Sequence, residues 1–341
     1  MKDSIADSIH RHGFKRLLLA VSGGLDSICL AHYFICNKEA FGIEWLGIAH
    51  VHHGLREGTS DRDAAFVEAF ARKYNVPFFL KKLDGETLKN AEGSLEENAR
   101  DARYKALQEA AENCDAIVTA HHAGDQAETM YMRLRRGTTL AGLKGIQEVR
   151  DNIYRPFLNV TRAELLTYAR ENNLEWCEDE SNSDVKLARN KVRHEFLPQL
   201  EKESPGAATQ LCRIALLADK AYAKVMNAGE SLFAPVLKAG NADADLRQHD
   251  LKAGIALDKK KLRKVLLAHE STDLSEMFRL WLSEQGFRFP IGFFYSQTEP
   301  AHVKIPVRAA YRKRSIVKKG STVLICEFES VEAALKFVSC K

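Results

Sequence analysis

Along the first half of the chain, short apolar runs alternate with longer stretches in which apolar residues recur every three or four positions. The runs Lys15–Val21, Ile43–Val51, Pro77–Leu83 and Asp115–Ala120 predict strands, and Ser27–Asn37, Thr59–Tyr74 and Ser94–Glu112 predict helices between them. Strands that alternate with helices build βα units, so the predicted fold class is α/β, a doubly wound parallel sheet. Past residue 155 the strand pattern fades, and Arg162–Asn172, Arg189–Lys202 and Pro205 to about Leu237 predict helices. The polar, weakly periodic stretch Ala239–Gly254 marks a boundary, followed by helical patterns at Leu257–Ala268 and Leu274–Gln285. From residue 303 onward, the β-branched run Thr322–Ile325 predicts a small β-rich end piece. The expected organisation is a doubly wound domain over residues 1–200, a helical linker over 201–255 and a small C-terminal domain over 256–341.

Composition changes this picture little. The 341 residues suit two or three domains at roughly 150 residues each. Lys and Arg outnumber Asp and Glu by 50 to 46, so net charge neither demands nor excludes a nucleic-acid partner. The seven cysteines are odd in number and include no C-x-x-C pair, which reads as small buried hydrophobes in a reducing compartment. Asp3, Asp7 and His10 interrupt the N-terminus where a signal peptide needs an apolar core, and Leu17–Val21 is too short to span a bilayer. A cytoplasmic protein without membrane attachment is expected.

In doubly wound sheets, ligands bind beyond the carboxyl ends of the strands. Three predicted strands end in polar chemistry: Ser22-Gly-Gly-Leu-Asp-Ser27, His50-Val-His-His-Gly-Leu-Arg56 and His121-His-Ala-Gly-Asp-Gln-Ala-Glu-Thr129. The other ends in Asp84-Gly-Glu86, which reads as a plain turn. The first loop brings two glycines and two hydroxyls to the start of a helix, where backbone N–H groups and the helix dipole converge on a phosphate. It matches neither a Walker A loop nor the dinucleotide fingerprint. The pairs His52-His53 and His121-His122 invite a zinc hypothesis, but adjacent strand residues point to opposite faces and no Cys/His set completes a site.

The hexamer Ser22–Ser27 resembles the PP-loop of the ATP pyrophosphatase families. The resemblance continues through His50–Arg56, Asn98-Ala-Arg-Asp-Ala-Arg-Tyr104, His121–Thr129, Arg136-Gly137, Gly142-Leu143 and Arg155-Pro156. The block Glu178-Asp-Glu-Ser-Asn182, followed by Arg189-Asn190, Arg193 and Leu197-Pro198, is similar to the tRNA(Ile)-lysidine synthetases in particular. That resemblance covers about residues 15–200 and implies the PP-loop ATPase fold. It also implies a ligase that adenylates C2 of the wobble cytidine in CAU-anticodon tRNA(Ile), releasing pyrophosphate. The ε-amine of free L-lysine then displaces AMP, and the anticodon reads isoleucine codons instead of methionine. ATP as co-substrate, Mg2+ and tRNA(Ile) come with it, and a homodimer is compatible with it.

By that resemblance Ser22, Gly23, Gly24 and Ser27 hold the leaving pyrophosphate, Leu25 belongs to the same ATP-binding loop, and Asp26 is catalytic, positioning Mg2+ and the reacting phosphate. His50, His52, Arg56, Arg100 and Arg103 complete the expected ATP site. Arg100 and Arg103 share a helix with Glu96, Glu97 and Asp101, so a solvated ion-pair network is the competing reading. Lysine's amine has a pKa of roughly 10.4, so it must be desolvated or deprotonated before it attacks. Asp125 is the expected catalytic carboxylate, with Glu128 one helical turn on to help grip the ammonium. Arg189, Asn190 and Arg193 are expected at an edge facing RNA. Two departures stand out: Gly124 where many relatives carry a second acidic or amide residue, and Thr138-Thr-Leu-Ala141 in place of a more glycine-rich segment.

Basic residues cluster at Arg133, Arg135 and Arg136, at Lys259–Lys264 and at Arg312–Lys319. In the last cluster Tyr311 leads into Arg312, Arg314 and Lys318, mixing an aromatic with cations as single-stranded RNA binding does. Three other readings compete. A PP-loop tRNA thiolase generally needs paired cysteines, which are lacking. An NAD or GMP synthetase shares the first loop but leaves Glu178–Pro198 unexplained. A non-catalytic tRNA-binding protein, encouraged by Gly124 alone, would release no pyrophosphate.

Overall fold

The computed structural model describes residues 2–52, 54, 59–90, 92, 94–178, 188–237, 251–268, 272–287, 289, 308–311, 314–319 and 322–328. The chain divides into two compact units, Met1–Ala218 and Asp219–Lys341, and the boundary falls inside one long helix, Ala207–Phe233.

In the first unit β1 (Arg16–Ala20), β2 (Trp45–His52), β3 (Phe78–Lys82), β4 (Ala116–Val118), β5 (Val149–Arg150) and β6 (Ile153–Tyr154) form one sheet of order β3-β2-β1-β4-β6-β5. Every neighbouring pair is parallel except β5 with β6. In the central strand β1, Leu17, Leu18 and Leu19 are wholly buried, as a parallel strand covered on both faces requires. Each such leucine contributes roughly 1.5–3 kcal/mol. The edge strand β3 leaves Phe79 and Leu80 exposed.

The helices of this unit are α1 (Lys2–His12), α2 (Leu25–Cys36), α3 (Thr59–Lys73), α4 (Gly85–Asn90), α5 (Leu95–Ala110), α6 (Ala123–Arg136), α7 (Leu140–Leu143) and α8 (Arg162–Glu171). Side chains alternate across a strand, so Leu17 and Leu19 serve one core and Leu18 the other. The first core takes Ile5 and Ile9 of α1, Ile28 and Phe34 of α2, Val67 of α3 and Leu165 of α8. The second takes Ala106 and Leu107 of α5, against Val51 and Ile117.

Two local readings change. Asp84 belongs to a helix start rather than a plain turn: the Glu86 N–H donates to its Oδ1 at 3.0 Å and the Thr87 hydroxyl to its Oδ2 at 2.5 Å, opening α4. The helix expected over Arg189–Lys202 is present as α9 (Ala188–Lys191) and α10 (Leu197–Glu203), but a wide π-helical turn, Val192–Phe196, separates them.

The second unit holds β7 (Leu251–Asp258), β8 (Arg308–Tyr311), β9 (Arg314–Lys319) and β10 (Thr322–Phe328) in an antiparallel sheet of order β7-β10-β9-β8. Leu257 and Asp258, read as the start of a helix, close β7 instead. Asp258 Oδ1 accepts the N–H groups of Lys260 and Lys261 at 2.9 Å, so the helix begins two residues later than expected, as Lys259–Ala268. Helix Thr272–Glu284 supplies Phe278 and Trp281 to a core shared with Leu257, Ile316 and Val323. Among the described residues, no helix is long and apolar enough to cross a membrane.

Candidate active site

Strand order reverses at β1, which has β2 on one side and β4 on the other, and a doubly wound sheet opens a crevice at such a switch point. A cleft of about 520 Å3 lies there. Ser22, Gly24, Leu25, Asp26 and Ser27 reach it from the end of β1, and Thr119, His121 and Asp125 from the end of β4. Asp63, Arg103, Arg162, Trp176, Cys177 and Glu178 are further wall residues.

The loop after β1 is held by its own hydroxyls. Ser27 Oγ donates to the Gly24 carbonyl at 2.9 Å, accepts the Ser22 N–H at 3.2 Å and lies 3.1 Å from Ser22 Oγ. Gly23 adopts φ +98°, a conformation that a side chain disfavours, and its carbonyl accepts the Cys177 N–H at 2.9 Å. From below, His50 lies 2.8 Å through Nδ1 from the Val21 carbonyl, so the ring donates there and braces the loop without lining the cleft.

Asp26, in the first turn of α2, meets the first turn of α6 across His122. His122 Nε2 is 3.6 Å from Asp26 Oδ2 and 3.8 Å from Asp125 Oδ2. The Gly124 N–H donates to His122 Nδ1 at 2.9 Å, which in the neutral ring leaves the proton on Nε2, facing both carboxylates. This explains Gly124: a Cβ there would stand 2.6 Å from His122 Cε1, so a side chain would push the imidazole off the helix end. Asp125 Oδ2 accepts the His122 N–H at 2.9 Å, completing a capping box.

The two carboxyls are driven apart. Burial raises Asp26 above the usual carboxylate range, against the opposing pull of His122 and Arg162. Burial acts on Asp125 too, but His122, its backbone hydrogen bond and Arg193 outweigh it and hold Asp125 low. Asp26 Oδ1 is buried with no hydrogen-bond partner among the described residues. His121 is pushed down to about 3, first by burial and then by Arg155, Arg103 and Arg100, while Asp125 opposes.

Behind Asp125, Glu128 is almost fully buried and its pKa is raised by burial. Arg193 bridges the pair, with Nη2 3.0 Å from Asp125 Oδ1 and Nε 2.5 Å from Glu128 Oε1. Arg189 Nε stands 3.7 Å from Glu128 Oε2. Both arginines, expected at an RNA-facing edge, therefore spend their charge on α6 in this structure, and Asn190 lies between them on α9. Of the two arginines on α5, Arg103 lines the cleft, and burial lowers its pKa. Arg100 is exposed, 5.6 Å from the Tyr104 ring centre. His52 turns away to Asp61, Nε2 to Oδ1 3.3 Å. Arg133 is tied to the carbonyls of Gly142 and Gly145.

Arg56, Arg312 and Asp179–Asn182 lie outside the described residues. Arg314 and Lys318 belong to β9 in the second unit, with the Lys318 side chain undescribed. Sequence reasoning did not pick out Asp63, Arg162, Trp176 or Cys177 as cleft residues. Arg162 carries no motif of its own and sits behind the Thr161/Glu164 capping box that starts α8.

A family model described as a PP-loop domain matches residues 1–200. A tRNA(Ile)-lysidine synthase of Solibacter usitatus is 37% identical over 256 residues, covering 74% of this chain and 56% of that protein. Proteins of the same name from Geobacter sulfurreducens and Haemophilus ducreyi are 41% and 34% identical, covering 60% and 82% of this chain and 44% and 60% of their own lengths. The chain thus spans about half the length of the curated relatives it matches. Among solved structures, a U34-tRNA thiolase from Methanococcus maripaludis superposes with a TM-score of 0.50 at 20% identity, covering 64% of this chain and 77% of that one, a likeness of fold.

Proposed function

The chain belongs to the PP-loop domain family, which matches it over residues 1–200, and on that premise we propose that it is an AMP-forming ligase joining lysine to the wobble cytidine of CAU-anticodon tRNA(Ile). The observation that carries this reading is that the phosphate loop and the acidic start of α6 meet in one cleft, with Asp26 and Asp125 at 3.6 and 3.8 Å from the same imidazole nitrogen. Likeness at 34–41% identity to proteins named tRNA(Ile)-lysidine synthase supports it.

In the first step O2 of the cytidine attacks the α-phosphorus of ATP, pyrophosphate leaves, and the base carries AMP through the oxygen on C2. The N–H groups at the start of α2 receive the pyrophosphate, and Arg103 and Arg162 face the charge that develops. Mg2+ suits this loop, since a buried, unpartnered carboxylate oxygen of Asp26 is the ligand type a hard cation takes, alongside phosphates and water. Bound there with ATP, it would neutralise polyphosphate charge. In the second step the lysine ammonium loses a proton to water, the free amine bonds to C2, the C2–O bond to AMP breaks, and the proton remaining in excess on nitrogen passes to water.

Asp125 is held low and remains a carboxylate at neutral pH, so it suits gripping and orienting the ammonium better than deprotonating it. Glu128 supports it from behind through the shared Arg193. We assign Asn190, Arg312, Arg314 and Lys318 to the tRNA side, Arg189 to holding Glu128, His50 to bracing the phosphate loop, and the reaction to the cytoplasm. The test is incorporation of labelled lysine into unmodified CAU-anticodon isoleucine tRNA with ATP and Mg2+, with methionine tRNA as control. Incorporation confined to the isoleucine tRNA is expected. ATP cleavage to AMP and pyrophosphate without lysine incorporation would sink the lysine step and leave the PP-loop chemistry.

A further inference from the structure

Wide i→i+5 turns are rare in helices and concentrate at functional sites. The one at Val192–Phe196 sends two of its side chains to α6, at different heights along it. Arg193 goes to Asp125 and Glu128, while the Phe196 ring lies against Tyr131 of α6, centres 5.7 Å apart and planes 20° from parallel. Two cations converge on the same ring: Arg135 Cζ is 5.8 Å and Lys191 Nζ 5.7 Å from its centre. Tyr131 packs on the apolar cluster of Ala127, Met130, Leu211 and Ala215, but Phe196 is not part of that cluster and stays only half-buried. Here the ring is backed by a second ring and has two cations beside it, of which Lys191 also lies 3.8 Å from Glu195, and an aromatic with neighbouring cations is the chemistry that holds unpaired bases and their phosphates.

We infer that Phe196, backed by Tyr131, is a stacking platform for an unpaired RNA base, with Lys191 and Arg135 taking the adjoining phosphates. Position supports that occupant. Tyr131 lies six residues beyond Asp125 on α6, about 9 Å along the axis at 1.5 Å per residue. Two or three stacked nucleotides at about 3.4 Å each cover that distance, so the platform meets a near neighbour of the base that enters the cleft. The inference rests on the tRNA reading above and names the loop nucleotides beside the reacting cytidine as the ligand.

The full chain carrying Phe196→Ala, Phe196→Leu or Phe196→Trp tests it by filter binding to CAU-anticodon tRNA and by nucleotide affinity measured with ATP alone. Stacking is worth enough that Phe196→Ala and Phe196→Leu should each weaken tRNA binding about five- to a hundredfold. Phe196→Trp should bind at least as well as the parent, and its new indole should be quenched by the RNA. ATP affinity should not change in any of them. Phe196→Leu keeps an apolar side chain of similar size, so a defect confined to Phe196→Ala would mean packing and would overturn the platform. Unchanged tRNA affinity in both, or no quenching in Phe196→Trp on tRNA binding, would do the same. The two proposals fail separately: absent lysine incorporation with an intact Phe196 effect removes the reaction, and normal incorporation with normal Phe196→Leu binding removes the platform.

Discussion

Arg193 gives the sharpest test of how the acidic pair is held. Its guanidinium contacts Asp125 at 3.0 Å and Glu128 at 2.5 Å, and Glu128's side chain is only 2% exposed. Arg193→Ala leaves that carboxylate with Arg189 alone, 3.7 Å away. Removing one partner of a buried ion pair costs about 3–5 kcal/mol. Glu128 has an escape, however, because it can take up a proton. From its ordinary value of 4.5, neutralisation at pH 7 costs about 1.4 kcal/mol for each of 2.5 pH units, a ceiling of about 3.4 kcal/mol. At pH 6 the ceiling drops to about 2 kcal/mol. The sign follows from linkage: the variant's folded pKa rises above the unfolded value, the folded state binds more protons, and the stability deficit grows as pH rises above 4.5. We therefore expect Arg193→Ala to lose about 2–3 kcal/mol at pH 7 and less at pH 6, read by urea unfolding. Adding Glu128→Gln should restore most of the loss, because an amide requires no counter-charge. A deficit that is the same at both pH values and is not relieved by Glu128→Gln would mean that Arg193 acts by packing, and the argument for a buried charge would fail.

Further outcomes follow from the cleft. Asp26→Ala should abolish pyrophosphate release, whereas Asp125→Ala should block lysine transfer while AMP is still transferred to the base; normal lysine turnover in Asp125→Ala would refute its role. Gly23→Ala should weaken ATP binding and cost about 1–2 kcal/mol from its φ of +98° alone, since its Cβ would find only ordinary contacts, 3.5 Å from Val67 and 3.6 Å from Cys177; a variant as stable as the parent would show that the loop relaxes. His121, held near 3, should stay neutral across pH 5–8 by NMR titration, and its stabilising effect should fade as pH drops below the unfolded value of about 6.5. A His121 midpoint between pH 6 and 7 would contradict the burial argument.

The parts legible from sequence were those fixed by local pattern. The βα alternation located β1 to β4 within two residues at every end, because a buried parallel strand must be a continuous apolar run. The phosphate loop was legible because the whole hexamer Ser22–Ser27 resembles a PP-loop; its glycines and hydroxyls alone suit an ordinary turn equally well. Less local features were hidden. The two-residue strands β5 and β6 are too short to carry a period, and α1 was passed over as a charged N-terminus although Ile5 and Ile9 are spaced for one buried face. Strand β7 merged with the helix after it, since Leu257 fits either period until Asp258 is seen capping.

Charge was the hardest feature to read, and for a physical reason. An arginine's sequence neighbours say little about where a guanidinium several bonds from the backbone will end. Arg100 and Arg103 sit three apart on α5, yet one is exposed and the other faces the cleft. Arg189 and Arg193 look like an RNA-facing pair, yet α6 turns Glu128 inward and burial requires that carboxylate to recruit a cation. Arg193 and Phe196 lie three apart, nearly on one face of a helix, and both meet α6, Arg193 at Asp125 and Glu128 and Phe196 at Tyr131, so the wide turn that holds them carries both contacts. Replacing the turn by regular α-helix, through deletion of one residue within Val192–Phe196, should therefore cost the Arg193 ion pairs and the Tyr131–Phe196 stack together. A deletion variant that kept full stability and full tRNA affinity would show that the two are independent.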